Sequence, residues 1–225
     1  MSEAPQDGPP SKGIMSVFIA VFCLCAVAAL LAAEYSGRRR LKWLAKPAAS
    51  AAFIGLALSE GALGAGAFGL LLLTGLIFCA AGDVLLIARA ERWFLAGMGA
   101  FALGHGAYIA AFLTQSPHVK PPVYAAAIAM VFVGAAVLRS LWGKLGPMRA
   151  PVAVYVAIIS AMVIASVAAS PVSGGYVWPL VAGAVGFAAS DIAVARDQFI
   201  AQNFFNKLWG LPLYYGSQLV LAASV

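Results

Sequence analysis

Two aspartates lie inside long apolar stretches of the chain. Asp83 follows the run 75–82, and Asp191 follows the similar run 183–190. An ionised aspartate inside a membrane helix costs at least about 2.5 to 3.5 kcal/mol, so such residues usually face an internal cavity or a partner. Two carboxylates that share a poorly solvated pocket favour one protonated and one ionised group. That division suits acid-catalysed cleavage through an oxocarbenium-like state.

The two aspartates also have similar surroundings in the sequence. Asp83 lies six residues before Arg89, and Asp191 lies five residues before Arg196. At 1.5 Å per residue, both are expected about 8 to 9 Å from the cytoplasmic ends of their helices, a depth at which they can share one pocket. The alternative is that each aspartate pairs with a nearby arginine or caps a helix end.

Further polar residues within the apolar segments are candidates for binding a substrate: Lys46, His105, Tyr108, Ser190, Tyr215 and Gln218. A lone histidine such as His105 is more often a hydrogen-bonded packing residue than a ligand. Lys46 opens the second apolar segment, where it can bind a phosphate or simply follow the positive-inside rule. Because the three His, Cys or carboxylate ligands of a zinc hydrolase are not visible, we predict neither a metal nor another cofactor.

The composition describes the elements that must position these residues. The chain has 225 residues, 63% hydrophobic and 10% charged, with a mean hydropathy of +0.95. Soluble domains carry roughly 25% charged residues. A tail over residues 1–13, rich in Pro, Gly and acidic residues, is predicted to be disordered. Residues 14–225 are predicted to form one all-α domain of eight transmembrane helices, each close to the ~20 residues that cross a bilayer: 15–33, 47–63, 68–88, 93–113, 123–141, 151–170, 177–195 and 205–225.

The distribution of charge supports this count. Alternating loops put all but Lys12 and Lys120 of the 14 Lys and Arg residues on one side. The positive-inside rule then predicts that both termini are non-cytoplasmic. Topology therefore explains the net charge of +6, and no basic face for nucleic acid is visible. The first segment is predicted to be a retained helix, because a signal peptide needs positive charge before its apolar core.

An internal similarity links the two aspartates. Residues 75–84 align without gaps on residues 183–192, and these segments belong to the third and seventh predicted helices. The alignment favours two parallel four-helix repeats with a site between them. Paired membrane aspartates in such a repeat also occur in proton-coupled transporters of lipids or small amphiphiles. A non-catalytic scaffold or lipid sensor is the third alternative.

Several short motifs, in this order and spacing, resemble those of the lysoplasmalogenase family of membrane proteins. They are Lys46-Pro47, Gly82-Asp83-Val-Leu-Leu86, Phe101-x-x-x-His105-x-x-Tyr108, Ser190-Asp191-Ile192 and Tyr215-x-x-Gln218. The resemblance covers nearly everything after the N-terminal tail.

The resemblance implies hydrolysis of the vinyl ether bond of lysoplasmalogens, giving a fatty aldehyde and glycerophosphoethanolamine or glycerophosphocholine. It implies that Asp83 and Asp191 are catalytic and that the six binding candidates line the pocket, with the acid and base roles left open. Lys46, Arg89 and Lys207 are candidates for the headgroup phosphate. The expected partners are a lysophospholipid and membrane lipids, and the expected location is a bacterial inner membrane.

Overall fold

A computed structural model describes residues 12–88, 90–169 and 178–225. The predicted all-α architecture is confirmed. The helices are α1 (Lys12–Ser36), α2 (Arg39–Glu60), α3 (Gly66–Leu85), α4 (Glu91–Leu113), α5 (Pro121–Leu141), α6 (Arg149–Ala168), α7 (Trp178–Phe199) and α8 (Phe204–Ala222). Most of the predicted tail, together with Arg89 and residues 170–177, lies outside the described residues.

In the part of the chain that the structure describes, seven helices, α1 to α7, are long and apolar enough to cross a membrane. The chain is an integral membrane protein. The more polar α8 does not reach the same hydropathy, because it carries residues such as Asn206, Tyr214, Tyr215 and Gln218. These four side chains are buried in the bundle, so α8 keeps its polar groups away from lipid. Its crossing of the membrane stays a prediction.

Three helix boundaries differ from the sequence-based prediction in ways that matter for the site. Helix α2 begins at Arg39 rather than at residue 47, because the basic residues before Lys46 are good helix formers. Lys46 therefore lies inside the helix. Asp83 is two residues from the end of α3, whereas Asp191 is eight residues from the end of α7. The predicted equal distance from the helix ends is wrong, because α3 already ends at Leu85 and α7 continues past Arg196 to Phe199.

The packing of the helices supports the predicted repeat, which stays a prediction. In the first half α1 packs on α2, α2 on α3 and α3 on α4; in the second, α5 packs on α6, α6 on α7 and α7 on α8. Between the halves α4 packs on α6, and the equivalent α8 packs on α2. The contact of α1 with α8 would correspond to a contact of α5 with α4, which is not among the extensive contacts of the described helices.

Glycines allow close approach in equivalent places of the two halves. A Cβ atom on Gly183 of α7 would lie 2.6 Å from Cγ of Leu221 on α8. A Cβ atom on Gly75 of α3 would likewise overlap the ring of Tyr108 on α4. Only a residue without a side chain lets these helices come so close. The glycines thereby fix α3 and α7, the helices that carry the two aspartates, against α4 and α8.

Candidate active site

One cavity of about 450 Å³ lies within the helical bundle, and both Asp83 and Asp191 line it. All eight helices contribute lining residues. Its size falls in the range of roughly 300 to 1,000 Å³ that is typical of small-molecule sites. The predicted common pocket is therefore present, although the two helices place their aspartates at different distances from their ends.

Asp83 is surrounded by hydrogen-bond donors and a cation. The ammonium of Lys46 lies 3.2 Å from Oδ1 of Asp83. The Ser50 and Tyr214 hydroxyls donate to Oδ2 over 2.7 and 2.9 Å, and the Tyr215 hydroxyl lies 3.4 Å from the same atom. Asp83 and Lys46 are only 2% and 7% exposed. An ionised carboxylate accepts hydrogen bonds only, so this set of donors matches an ionised Asp83.

A chain of hydrogen bonds behind Tyr214 fixes the direction of its proton. The Tyr108 hydroxyl donates to Oε1 of Gln218 over 2.8 Å, and Nε2 of Gln218 donates to the Tyr214 oxygen over 3.2 Å. The Tyr214 hydroxyl therefore donates its own proton to Asp83. Tyr108 and Gln218, which the sequence predicts as pocket residues, do not line the cavity; they orient a residue that does.

Asp191 has a different environment. The Tyr155 hydroxyl donates to its Oδ2 over 2.6 Å, and Nε2 of His105 lies 3.5 Å from that atom and 3.0 Å from the Tyr155 oxygen. Since Tyr155 gives its proton to Asp191, Nε2 of His105 is the donor to Tyr155. Nδ1 of His105 is buried without a partner, and a proton there would have no acceptor, so the geometry favours the neutral Nε2–H tautomer.

The eight predicted residues fall into two groups, according to whether they line the cavity. Lys46, Asp83, Ser190 and Asp191 line the cavity, whereas His105, Tyr108, Tyr215 and Gln218 lie behind it. Ser190 donates to the carbonyl of Phe187 on its own helix, over 2.7 Å, and not to Asp191. Sequence reasoning missed Ser50 and Tyr155. A tyrosine in the middle of an apolar helix such as α6 is a usable signal, since its hydroxyl needs a partner in lipid.

The mouth of the cavity carries a row of ion pairs. Glu34 on α1 contacts Lys42 at 2.6 Å and Lys207 at 3.7 Å, and Lys207 also lies 3.4 Å from Asp197. All four residues line the cavity. Lys42 precedes Lys46 by four residues, so it stands about 6 Å further out along α2. Charged groups therefore continue from the mouth inward to Asp83.

Another part of the cavity lining is apolar. It is lined by side chains of α4, α5 and α6, which include Phe94, Met98, Met130, Val137, Val156, Ile159 and Val163. One polar wall and one apolar wall fit an amphiphilic ligand. No group of three or more His, Cys, Asp or Glu side chains that could hold a metal ion occurs among the described residues.

The comparison with known families now adds to this geometry. The sequence model of the YhhN family matches residues 41–225. The chain belongs to the YhhN family. The matched region of this YhhN member contains both aspartates and both clusters around them.

Two curated relatives of this YhhN member are named as lysoplasmalogenases. A lysoplasmalogenase of Mycobacterium bovis is 36% identical over 137 residues, which are 59% of this chain and 51% of the relative. Lysoplasmalogenase TMEM86A of Bos taurus is 31% identical over 155 residues, 67% of this chain and 62% of the relative. The chain therefore spans about half to three fifths of the length of these relatives. No solved structure matches it. The resemblance to the lysoplasmalogenase family is confirmed.

Proposed function

We propose that this protein is a membrane-embedded lysoplasmalogenase that hydrolyses the vinyl ether bond of single-chain ether phospholipids. The observation that carries the proposal is that Asp83 and Asp191 line one cavity with a polar and an apolar wall. The names of its relatives agree with that chemistry. The charge distribution fits an orientation with both termini non-cytoplasmic, and we propose a bacterial inner membrane as the location.

The hydrogen bonds suggest how the two carboxylates divide the work. Both oxygens of Asp83 already face donors or a cation, so Asp83 acts as the carboxylate. Asp191 has no Lys or Arg at ion-pair distance among the described residues, and its Oδ1 makes no hydrogen bond there. Asp191 therefore delivers the proton to the alkenyl carbon, and Tyr155 and His105 hold its other oxygen.

Protonation of the alkenyl carbon gives an oxocarbenium ion, which the negative charge of Asp83 stabilises. Asp83 then accepts a proton from the water that adds to this ion, and a hemiacetal forms. The hemiacetal hydroxyl gives its proton to the glycerol oxygen, the C–O bond breaks, and a fatty aldehyde leaves. One water is consumed, and transfer of the proton from Asp83 back to Asp191 restores the starting state.

The row of charges at the mouth suits the headgroup. Lys42 and Lys207 stand beside Glu34 and Asp197, so the mouth offers cations for a phosphate and carboxylates for an amine. Lys42 is the better candidate for the phosphate than Lys46, because Lys46 is buried against Asp83. The ion pairs at the mouth would hold the headgroup near the entrance of the cavity, and the ether bond would lie deeper, beside Asp83 and Asp191.

Release of aldehyde from a lysoplasmalogen by purified protein in detergent tests the proposal. We expect Asp83→Asn and Asp191→Asn each to lower the rate at least ~100-fold, as for loss of a general acid or base. Glu91→Gln is the control, since Glu91 is an exposed acidic residue at the start of α4. Near-normal rates in both aspartate variants would refute the mechanism. A detergent solution holds no gradient, so turnover there also separates an enzyme from a proton-coupled transporter.

A further inference from the structure

Part of the cavity lining is apolar and suits the hydrocarbon chain of an amphiphile. Met130 and Val137 of α5, Val156 and Ile159 of α6 and Val185 of α7 belong to this part.

Helix α5 is loosely attached to the bundle on the apolar side. Within the described part of the chain it packs extensively on α6 alone, whereas α7 packs on both α6 and α8. Only Val123, Gly134 and Leu141 of α5 are buried. Helices α5 and α7 thus flank α6 without closing against each other.

Two valines lie where the cavity passes between α5 and α7. Val133 of α5 and Val185 of α7 both line the cavity, and they are 44% and 47% exposed. Since α5 and α7 do not pack extensively on each other, an opening remains between these two side chains. Both helices are apolar enough to cross the membrane, so this opening faces the hydrocarbon of the bilayer.

We propose that the hydrocarbon chain of the substrate leaves the cavity sideways, through the opening between α5 and α7. There the chain would lie on the surface of α6 near Val156. Helix α5 comes close to α6 at this point, since a Cβ atom on Gly134 would lie 3.1 Å from Cγ1 of Val156. The charged mouth is formed by residues of α1, α2, α7 and α8 and suits only the polar end of an amphiphile. The inference rests on the proposed function for the identity of that amphiphile. The opening, rather than the closed cavity, then determines which chain lengths are accepted.

Blocking the opening tests this route. Val133→Trp and Val185→Trp place a large ring at its rim, and both sites are exposed, so the variants should fold. Val131→Trp is the matched control, because Val131 is 70% exposed on the same helix and does not line the cavity. We expect the rim variants to lower kcat/KM for a hexadecenyl substrate at least ~10-fold, the loss that a misfit in an apolar pocket causes. An octenyl substrate should be affected much less. Equal losses for both chain lengths, or no loss beyond that of Val131→Trp, would overturn the route.

A labelling experiment separates this inference from the proposed function. The probe is a non-cleavable single-chain alkyl ether phosphoethanolamine with a photoreactive diazirine in the middle of its chain. Crosslinks to α5 and α7 around Val133 and Val185 support the opening, even if the protein releases no aldehyde. Crosslinks confined to other helices, in protein that does release aldehyde, would overturn the opening and leave the hydrolase standing.

Discussion

The buried pair of Lys46 and Asp83 gives the sharpest test of the site. Removing one partner of a buried ion pair typically costs about 3 to 5 kcal/mol, because the other charge stays buried without compensation. Asp83 keeps the hydroxyls of Ser50 and Tyr214 as donors, so we expect Lys46→Met to cost about 3 kcal/mol, at the lower end of that range. For a chain of this length the loss corresponds to a fall in Tm of about 6 to 12 °C.

The double variant turns this expectation into a measured coupling. Lys46→Met combined with Asp83→Asn removes both charges and leaves an amide that can still accept from the hydroxyls. Replacing both partners is often close to neutral, so the double variant should be more stable than Lys46→Met alone by about 2 kcal/mol or more. The free energy of unfolding can be followed in mixed micelles as the fraction of denaturing detergent rises. Lys144→Met, on an exposed lysine, controls for loss of positive charge.

The reasoning would be refuted if the loss of unfolding free energy in the double variant equalled the sum of the losses in Lys46→Met and Asp83→Asn. This result would mean that Lys46 and Asp83 do not stabilise each other, and that the carboxylate role given to Asp83 has no support. A Lys46→Met protein as stable as the Lys144→Met control would refute it equally. Both results are distinct from a loss of activity, which removal of Lys46 is expected to cause in either case.

Three further predictions concern the residues behind the carboxylates. Tyr155→Phe removes the 2.6 Å hydrogen bond to Asp191, so kcat should fall at least ~10-fold with little change in KM, whereas Tyr124→Phe on an exposed tyrosine should leave both unchanged. Gln218→Leu removes the acceptor of the buried Tyr108 hydroxyl and the donor to the Tyr214 oxygen, and should lower the free energy of unfolding by about 1 to 3 kcal/mol; unchanged stability would contradict the proposed hydrogen-bond chain. Gly75→Val would overlap Tyr108 and should cost about 1 to 3 kcal/mol, measured by the same unfolding assay, with Gly106→Val, in open space, as the comparison.

The sequence predicted the fold and the two central residues for related physical reasons. Hydropathy, helix length and loop charge identify an all-helical membrane bundle without any tertiary information. Asp83 and Asp191 stand out because a carboxylate in lipid is too costly to be there without a purpose. Both predictions rest on the same large energetic penalty, the exposure of polar groups to hydrocarbon. This penalty leaves few other folds for the chain and few other positions for the two carboxylates.

The partners of the aspartates were harder to find. Ser50 reaches Asp83 only because α2 and α3 pack together, and Ser50 also bonds the carbonyl of Lys46, which is all that an isolated helix would show. For Lys46 the positive-inside rule predicted a position at the membrane surface. The residue is buried instead, because α2 starts eight residues earlier than predicted and Lys46 lies inside the helix. Contacts between helices distant in sequence leave no local pattern, so these partners could not be predicted from the sequence.

The polar side chains of α8 have a consequence for biogenesis. Membrane insertion of a nascent helix depends on its own hydrophobicity, and α8 is the one described helix that falls below the threshold met by the others. We expect it to enter the bilayer late, by docking against helices that are already in place. Since α8 supplies Tyr214 and Tyr215, the set of donors around Asp83 is completed only at that final step. The catalytic machinery would then stay incomplete during synthesis and become competent only once the whole bundle has formed.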